Sequence, residues 1–375
     1  MPRILQVLPY GNLNGTERHV HLLARHAREA GWDATVALPP GPMRDLLHDE
    51  GIPVLELPPI RLTTFPSVIR AIRRAMATHD LCHVHAAMEM VLGMGLKPPF
   101  PVVFTAHCYH TDLDYAKAGF FLNRGCSATV SVSGAERARL LKGGLDPARH
   151  QTILNGIDLE PFQSAPPSGL RDELNLSPEV MLVGTIGRLS KLKRVDVLIR
   201  ALANSRDSIH LAVAGDGDQR RALEALADRL GVTERLHWLG RRQDVANVLG
   251  GFDVFASASE REGLSLAALE AMASGLPLTV SAIAEFEEVA DSRWAFALPP
   301  GRPEGWASSW DALYADPERR KRMGDAARAG SEGFTATRVG AETLALYRKI
   351  LKLEGESEEP GSLRSAGSLP ASPAS

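Results

Sequence analysis

Two glutamates eight positions apart, Glu262 and Glu270, stand out as candidate ligand-binding residues. They sit in Glu260-Arg-Glu262-Gly263-Leu264-Ser265-Leu-Ala-Ala-Leu-Glu270-Ala-Met-Ala-Ser-Gly275-Leu-Pro277. Residues 264–274 carry a helical pattern that Gly275 and Pro277 stop. Glu262 then precedes the helix, and Glu270 lies roughly two turns into it, about 12 Å along the axis. Backbone N–H groups of Gly263, Leu264 and Ser265 have no helical partner there and would point at an anion. Carboxylates accept bonds from vicinal hydroxyls, so two acids flanking an anion cradle suit a sugar–diphosphate–ribose ligand. A helix-dipole acid plus an unrelated surface glutamate gives the same letters.

Two segments upstream extend the anion reading. Gly184-Thr-Ile-Gly187-Arg188-Leu-Ser-Lys191-Leu-Lys193-Arg194 is a strand running into a basic loop. There Arg188 and Lys193 could clamp a diphosphate; a solvated basic surface reads the same way. Val213-Ala-Gly215-Asp-Gly217-Asp-Gln has half a dinucleotide fingerprint, with Arg220 where the third glycine would stand. A plain tight turn accounts for it equally well.

The first half is where the histidines are. Ten of the twelve precede residue 151, including His83-Val-His85 and Thr105-Ala-His107-Cys-Tyr-His110-Thr-Asp112. An HxH pair at a strand end is a reasonable metal-ligand arrangement, so His83, His85, His107 and Asp112 frame a metal-dependent hydrolase as a rival reading. It leaves the second half unexplained. Asp112-Leu-Asp114 is formally a DxD, but short acidic triplets are common by chance. Gly11-Asn-Leu-Asn-Gly15-Thr16 follows the first strand, with Thr16 as the expected helix cap.

These residues need a frame to hold them. Short β-branched runs at 4–8, 34–38, 54–57, 81–84, 102–105 and 129–132 alternate with amphipathic stretches such as 16–30 and 66–77. The alternation predicts a parallel, doubly wound α/β sheet. A Pro-, Ser- and Gly-rich pause follows, and strands resume at 181–186, 209–214, 236–239, 254–256 and 278–280, with helices at 219–230 and 264–274. The chain is therefore expected to form two Rossmann-like domains, 1–162 and 179–336, around a linker at 163–178. A helix at 337–353 crosses back to the first domain, and 354–375 is a tail too poor in apolar residues to order itself.

Bulk composition removes several classes. A net charge of −3 gives no reason to expect nucleic acid as a partner. Three cysteines without CxxC spacing exclude a zinc ribbon and suggest a reducing compartment. The N-terminal apolar run is too short for a signal peptide, and no stretch approaches a bilayer span, so a cytoplasmic protein is expected. On the 66–77 stretch, Val68, Ile69, Ile72 and Met76 share one face and Arg70, Arg73 and Arg74 the other. Such a helix either rests on anionic lipid or packs on the sheet.

Taken in order, these motifs resemble glycosyltransferase family 4. The similarity covers about residues 1–353. It runs from Asn14-Gly15-Thr16-Glu17 through Gly187-Arg188…Lys193, Ala214-Gly215-Asp-Gly217 and Leu239-Gly240 to the E-x7-E glutamates. The resemblance implies the GT-B fold and a nucleotide-diphosphate-sugar as co-substrate, used with retention. It implies no metal and no other cofactor. The acceptor would be a glycan, a lipid-linked or a small molecule. Separately, the basic face of the 66–77 helix, if it rests on lipid rather than on the sheet, would give peripheral contact with the inner face of the cell membrane through Arg70, Arg73 and Arg74. As for the donor site, the resemblance assigns each residue a part. It gives Glu270 to the ribose, Glu262 to the donor sugar, and Arg188 and Lys193 to the diphosphate. His107 lines the cleft near the transferred sugar, and the Gly15–Thr16 loop closes over the donor. A nucleotide-sugar epimerase shares this architecture and is the alternative within the fold. Two departures touch the sugar pocket: Arg194 follows the loop lysine where the family has glycine, and Ala282-Ile-Ala-Glu285-Phe-Glu287-Glu288 lacks the family's glycine pair.

Overall fold

The computed structural model describes residues 1–108, 111–166 and 168–353, apart from the side chain of Asp112. Two parallel sheets organise the chain. The first holds β1 (Arg3–Val7), β2 (Asp33–Leu38), β3 (Val54–Glu56), β4 (Leu81–His85), β5 (Val102–Ala106), β6 (Ala128–Ser131) and β7 (His150–Thr152) in the order β3-β2-β1-β4-β5-β6-β7. The second holds β8 (Met181–Ile186), β9 (Ile209–Ala214), β10 (Leu236–Gly240), β11 (Val254–Ser257), β12 (Leu278–Ser281) and β13 (Ala295–Leu298) in the order β10-β9-β8-β11-β12-β13. Helices cover both faces of each sheet, which is why the inner strands read as near-continuous apolar runs.

β7 and β13 were absent from the expected set. Both are edge strands, and neither His150-Gln-Thr152 nor Ala295-Phe-Ala-Leu298 stands out as a β-branched run; pairing with β6 and β12 recruits them. The expected linker at 163–178 is more structured than its composition suggests. Helical turns at Glu160–Gln163 and Leu170–Glu173 occupy part of it, and Leu170 is fully buried in the second core. The Ala336–Leu351 helix packs against the Gly15–Glu29 helix, with Val339, Leu344 and Tyr347 in the first core. The chain thus crosses between the sheets twice. The crossings are pinned where Ile157 bridges Thr335 and where Gly156 leaves no room for a Cβ beside the Thr335 carbonyl. The expected tail at 354–375 lies outside the described residues.

In each sheet the strand order reverses between its first strand and the strand beside it, β1 against β4 and β8 against β11. The crevice at the carboxyl ends of such a pair is where open α/β sheets take ligands. The loops of interest leave these strands or their neighbours.

Candidate active site

The loop after β8 and the loop after β11 meet at the second crevice. Lys193 Nζ lies 2.6 Å from Glu262 Oε1, and Ser259 Oγ donates to the same oxygen at 2.7 Å. The Glu260 N–H donates to the Leu192 carbonyl at 2.8 Å, so backbone as well as charge joins the two loops. Arg188 is exposed and carries no ion pair among the described residues.

The glycines of Gly215-Asp-Gly217 turn out to serve packing. A Cβ at Gly215 would strike the Gly187 carbonyl, and one at Gly217 the Leu189 carbonyl. Leu189 N–H donates to the Asp216 carbonyl at 3.0 Å. The motif is the floor that holds the basic loop. Arg194 explains the departure beside Lys193: its φ is +48°, the left-handed region where glycine is at ease. Bonds to Asp196 at 2.9 Å and to Glu260 hold it there.

The helix that follows begins two residues later than expected, at Leu266, with Ser265 as its cap accepting from Ala268 N–H. Gly263 and Leu264 therefore precede the cap and are not first-turn residues. Leu264 is buried, and its carbonyl accepts from Asn155 Nδ2 at 3.2 Å. Glu270 is buried on this helix and reaches across the cleft to Arg18 Nη1 at 3.0 Å. Burial pushes its carboxyl up to about 7, against the opposing pull of Arg18.

The other wall comes from the first sheet. Thr16 lies inside the first turn of the Gly15–Glu29 helix rather than capping it; Asn14 is the cap, and Glu17 accepts from the Asn14 N–H at 3.1 Å. Gly15 faces Leu266 at the start of the opposing helix. His107, just past β5, turns its carbonyl so closely onto Gly263 that no Cβ fits there. The Gly15 loop and His107 thus both border the glutamate motif.

Behind His107 runs a buried polar chain that sequence reasoning missed. His107 Nε2 lies 3.3 Å from His85 Nδ1, and His85 Nε2 lies 2.8 Å from Gln6 Oε1. Gln6 Nε2 donates to the Tyr347 hydroxyl at 3.3 Å, which is 2.5 Å from His83 Nδ1; His83 Nε2 meets Thr105 Oγ1 at 2.7 Å. Burial depresses all these imidazoles, His83, His85 and His107 well below the ordinary histidine range, so they are neutral at pH 7. His19 joins His85 and His107, its pKa lowered by burial to about 4. Among the described residues the histidines proposed for a hydrolase do not converge as a set, since His83 is turned to Tyr347 and Thr105 and His19 takes its place; the Asp112 side chain of that set lies outside the described residues. Asp114 is spent on its helix cap, accepting from Thr111 N–H at 3.1 Å and Thr111 Oγ1 at 2.7 Å.

Cross-cleft bonds also account for the second departure. Glu285, almost fully buried, pairs with Arg139 at 2.7 Å, and Glu288 accepts from Gly134 N–H at 2.5 Å. Carboxylates that tie the two domains together stand where the resemblance expects small residues.

Residues 13–161 match the family model described as Glycosyltransferase Family 4, and residues 170–330 the one described as Glycosyl transferases group 1. A D-inositol 3-phosphate glycosyltransferase of Xylanimonas cellulosilytica is 33% identical over 238 residues, 60% of this chain and 57% of that one. A protein of the same name from Nocardia farcinica is 28% identical over 332 residues, 80% of this chain and 74% of that one. The chain spans about half the length of the first curated relatives it matches, between 42% and 57%. Among solved structures, Anabaena HepE in complex with UDP-glucose aligns with a TM-score of 0.84 at 23% identity, over 92% of this chain and 100% of that one. The sucrose-phosphate synthase of Thermosynechococcus elongatus aligns at 0.82 and 19% identity, over 94% and 100%. These likenesses show the GT-B fold. With the first sheet matched by the Glycosyltransferase Family 4 model and the second by the Glycosyl transferases group 1 model, the chain is a glycosyltransferase of family 4 type.

Proposed function

We propose that the chain transfers a sugar from a nucleotide-diphosphate-sugar to a hydroxyl-bearing acceptor, with retention and without a bound metal. Residues 179–336 bind the donor, residues 1–162 bind the acceptor, and the reaction runs in the cleft between them. The observation that carries this reading is the Lys193–Glu262 pair at the strand-order reversal, facing His107 across the cleft.

Each group has a task that follows from its chemistry. Lys193 and the unpaired Arg188 take the diphosphate and stabilise the charge that grows on it as the glycosidic bond breaks. Glu262, released from Lys193, accepts from sugar hydroxyls, and Glu270 accepts from the ribose. Gly263, Leu264 and Ser265 let donor atoms approach the backbone, while Gly15 and Thr16 close over them. Neutral His107 orients the sugar and accepts a proton or hydrogen bond without adding repulsion to the cationic loop. Cleft closure excludes the water that would hydrolyse the donor.

The activity named for the Xylanimonas and Nocardia relatives makes an inositol phosphate the first acceptor to try, ahead of glycan and lipid-linked acceptors. Lipid contact is a separate part of the proposal. Val68, Ile69 and Ile72 are buried, so the Phe65–Ala75 helix packs on the sheet, yet Arg70 and Arg74 face outward. Arg73 is held by the Met94 carbonyl at 2.9 Å, and the three arginines line a surface cavity of about 500 Å³ with Phe65, Pro66 and Ile69. Anionic headgroups at the inner face of the membrane suit that cavity. Equal sedimentation with neutral and anionic liposomes, or none, removes the lipid contact.

The donor site is tested by calorimetric titration with a panel of nucleoside diphosphates and nucleotide-sugars. One of them binds, and Glu270→Ala weakens it by about tenfold to a hundredfold, the loss expected when a ribose hydroxyl loses a buried acceptor. Unchanged affinity in a folded Glu270→Ala protein removes the assignment. Rapid sugar inversion without acceptor turns the reading to an epimerase.

A further inference from the structure

Three imidazoles converge on one point at the wall of the cleft. Ligand-capable nitrogens of His19, His85 and His107 all lie within 4.8 Å of one another. Four-coordinate zinc holds imidazole nitrogens at about 2.0–2.1 Å, which sets neighbouring nitrogens about 3.3 Å apart and ring centres about 5.2 Å apart. His85 Nδ1 and His107 Nε2 already stand at 3.3 Å. The ring centres are 5.1 Å apart for His19 and His107, 5.6 Å for His85 and His107, and 5.7 Å for His19 and His85. All three separations are close to that spacing.

The second observation concerns His19. It is 5% exposed, and its Nδ1 is buried with no hydrogen-bond partner among the described residues. A buried polar atom left unpaired costs about 1–3 kcal/mol, so an occupant that bonds to it is favoured. Turning the His19 ring toward the other two sacrifices no existing bond at that nitrogen. His85 is already aimed: Gln6 Oε1, 2.8 Å from Nε2, accepts the proton there and leaves the Nδ1 lone pair pointing at His107. A polar acceptor that fixes the tautomer of a ligating histidine is what metal sites carry behind their ligands. Tyr347, bonded to Gln6 at 3.3 Å, holds that acceptor in turn.

We infer that His19, His85 and His107 form a binding site for one divalent cation of imidazole preference, Zn2+ foremost, with an open fourth position toward the cleft. The three nitrogens form three new bonds to the ion. The His107 proton shifts from Nε2 to Nδ1, and no proton is released. The site stands on these distances and does not depend on the transferase reading. Occupancy and a sugar contact through His107 Nε2 exclude one another.

The test uses the full chain freed of metal by chelator and titrated with Co2+, whose visible d–d bands report four-coordination. One Co2+ per chain with intense tetrahedral bands is expected, displaced by Zn2+. His19→Ala, and separately His107→Gln, weaken binding by more than about a hundredfold, while Gln6→Leu costs about tenfold. His210 and His237, whose rings stack with a nitrogen–nitrogen distance of 2.9 Å, form the competing imidazole pair. The His210→Ala/His237→Ala double variant keeps the bands. Weak octahedral Co2+ alone, binding unchanged in folded His19→Ala and His107→Gln, or loss of the bands in the double variant overturns the site. Because the readout is spectroscopic, a failure of nucleotide-sugar binding leaves it untouched.

Discussion

The two walls of the cleft bury polar groups by opposite means. On the second-domain wall the charges of the basic loop are kept and paired, Lys193 with Glu262 and Arg194 with Asp196 and Glu260, while Glu270, bonded to Arg18 across the cleft, is pushed by burial toward its protonated form. On the first-domain wall the imidazoles are discharged, and hydrogen bonds to Gln6, Thr105 and Tyr347 replace the missing charge. A buried ion without a partner costs far more than a neutral ring, so each solution is cheap in its own place. The difference teaches a division of labour. Paired charges can exchange a partner for an incoming diphosphate, whereas neutral rings can orient hydroxyls without repelling a cationic neighbour.

If that division is right, variants on the two walls damage different constants. His107→Ala is expected to lower turnover by about 10²–10⁴-fold, with donor affinity nearly unchanged, in steady-state assays paired with calorimetry. Lys193→Ala strands Glu262 and is expected to weaken the donor by about 2–3 kcal/mol, some 30- to 150-fold in Kd. Should both variants move the same constant, the two walls do not differ in role.

Zinc offers a second way to break the comparison. With His107 Nε2 on the ion, the neutral wall loses its free ring, so one equivalent of Zn2+ is expected to remove most turnover and excess chelator to restore it. Donor affinity, read by calorimetry in the same solutions, stays put. A fall in donor affinity with unchanged turnover would place the ion on the charged wall instead.

The walls also respond oppositely to pH. Glu270, pushed up to about 7 by burial, holds a proton in the folded chain that the unfolded chain releases near 4.5. Its contribution is full below 4.5 and is lost as pH rises through about 7. The histidines, ordinarily near 6.5, are depressed by burial, His19 to about 4. Their contribution is present above 6.5 and is lost as pH falls toward 4. Between about 4.5 and 6.5 the two contributions therefore oppose one another in urea unfolding, each worth up to about 3 kcal/mol for Glu270 and for His19. Glu270→Gln is expected to steepen the rise of stability with pH across that window and His19→Gln to turn it toward a fall; two variants that shift the slope the same way would merge the two walls.

How much of this was legible beforehand follows the range of the interactions. β8 and β9 fall at the residues expected, 181–186 and 209–214, because inner parallel strands are written as local apolar runs. The E-x7-E glutamates, Lys193 and His107 were also visible, since motif spacing is local. Arg18, His19, Gln6 and Tyr347 were not. Gln6 and Tyr347 are 341 positions apart, and Arg18 meets Glu270 across 252. Only the excess of histidine before residue 151 hinted at the cluster, and it pointed to His83 where the fold supplies His19. The start of the Leu266–Ala273 helix was misjudged because Leu264 looks helical by periodicity but is claimed by the core and by Asn155.

The smallest expected effect sits next to one of the largest. Arg194 holds a left-handed backbone that costs a non-glycine residue about 1–2 kcal/mol, and its part-exposed bonds to Asp196 and Glu260 return about 0–1 kcal/mol each. Arg194→Gly relieves the first and forfeits the second, so stability is expected to move by no more than about 1 kcal/mol, a few degrees in Tm for a domain of this size. Donor affinity should stay close to that of the parent, because Lys193 and Arg188 remain. A loss as deep as that of Lys193→Ala would mean that Arg194 also exchanges Glu260 for phosphate. The charge available to the donor would then come from three residues of the loop, and its left-handed turn would be retained for binding rather than tolerated by packing.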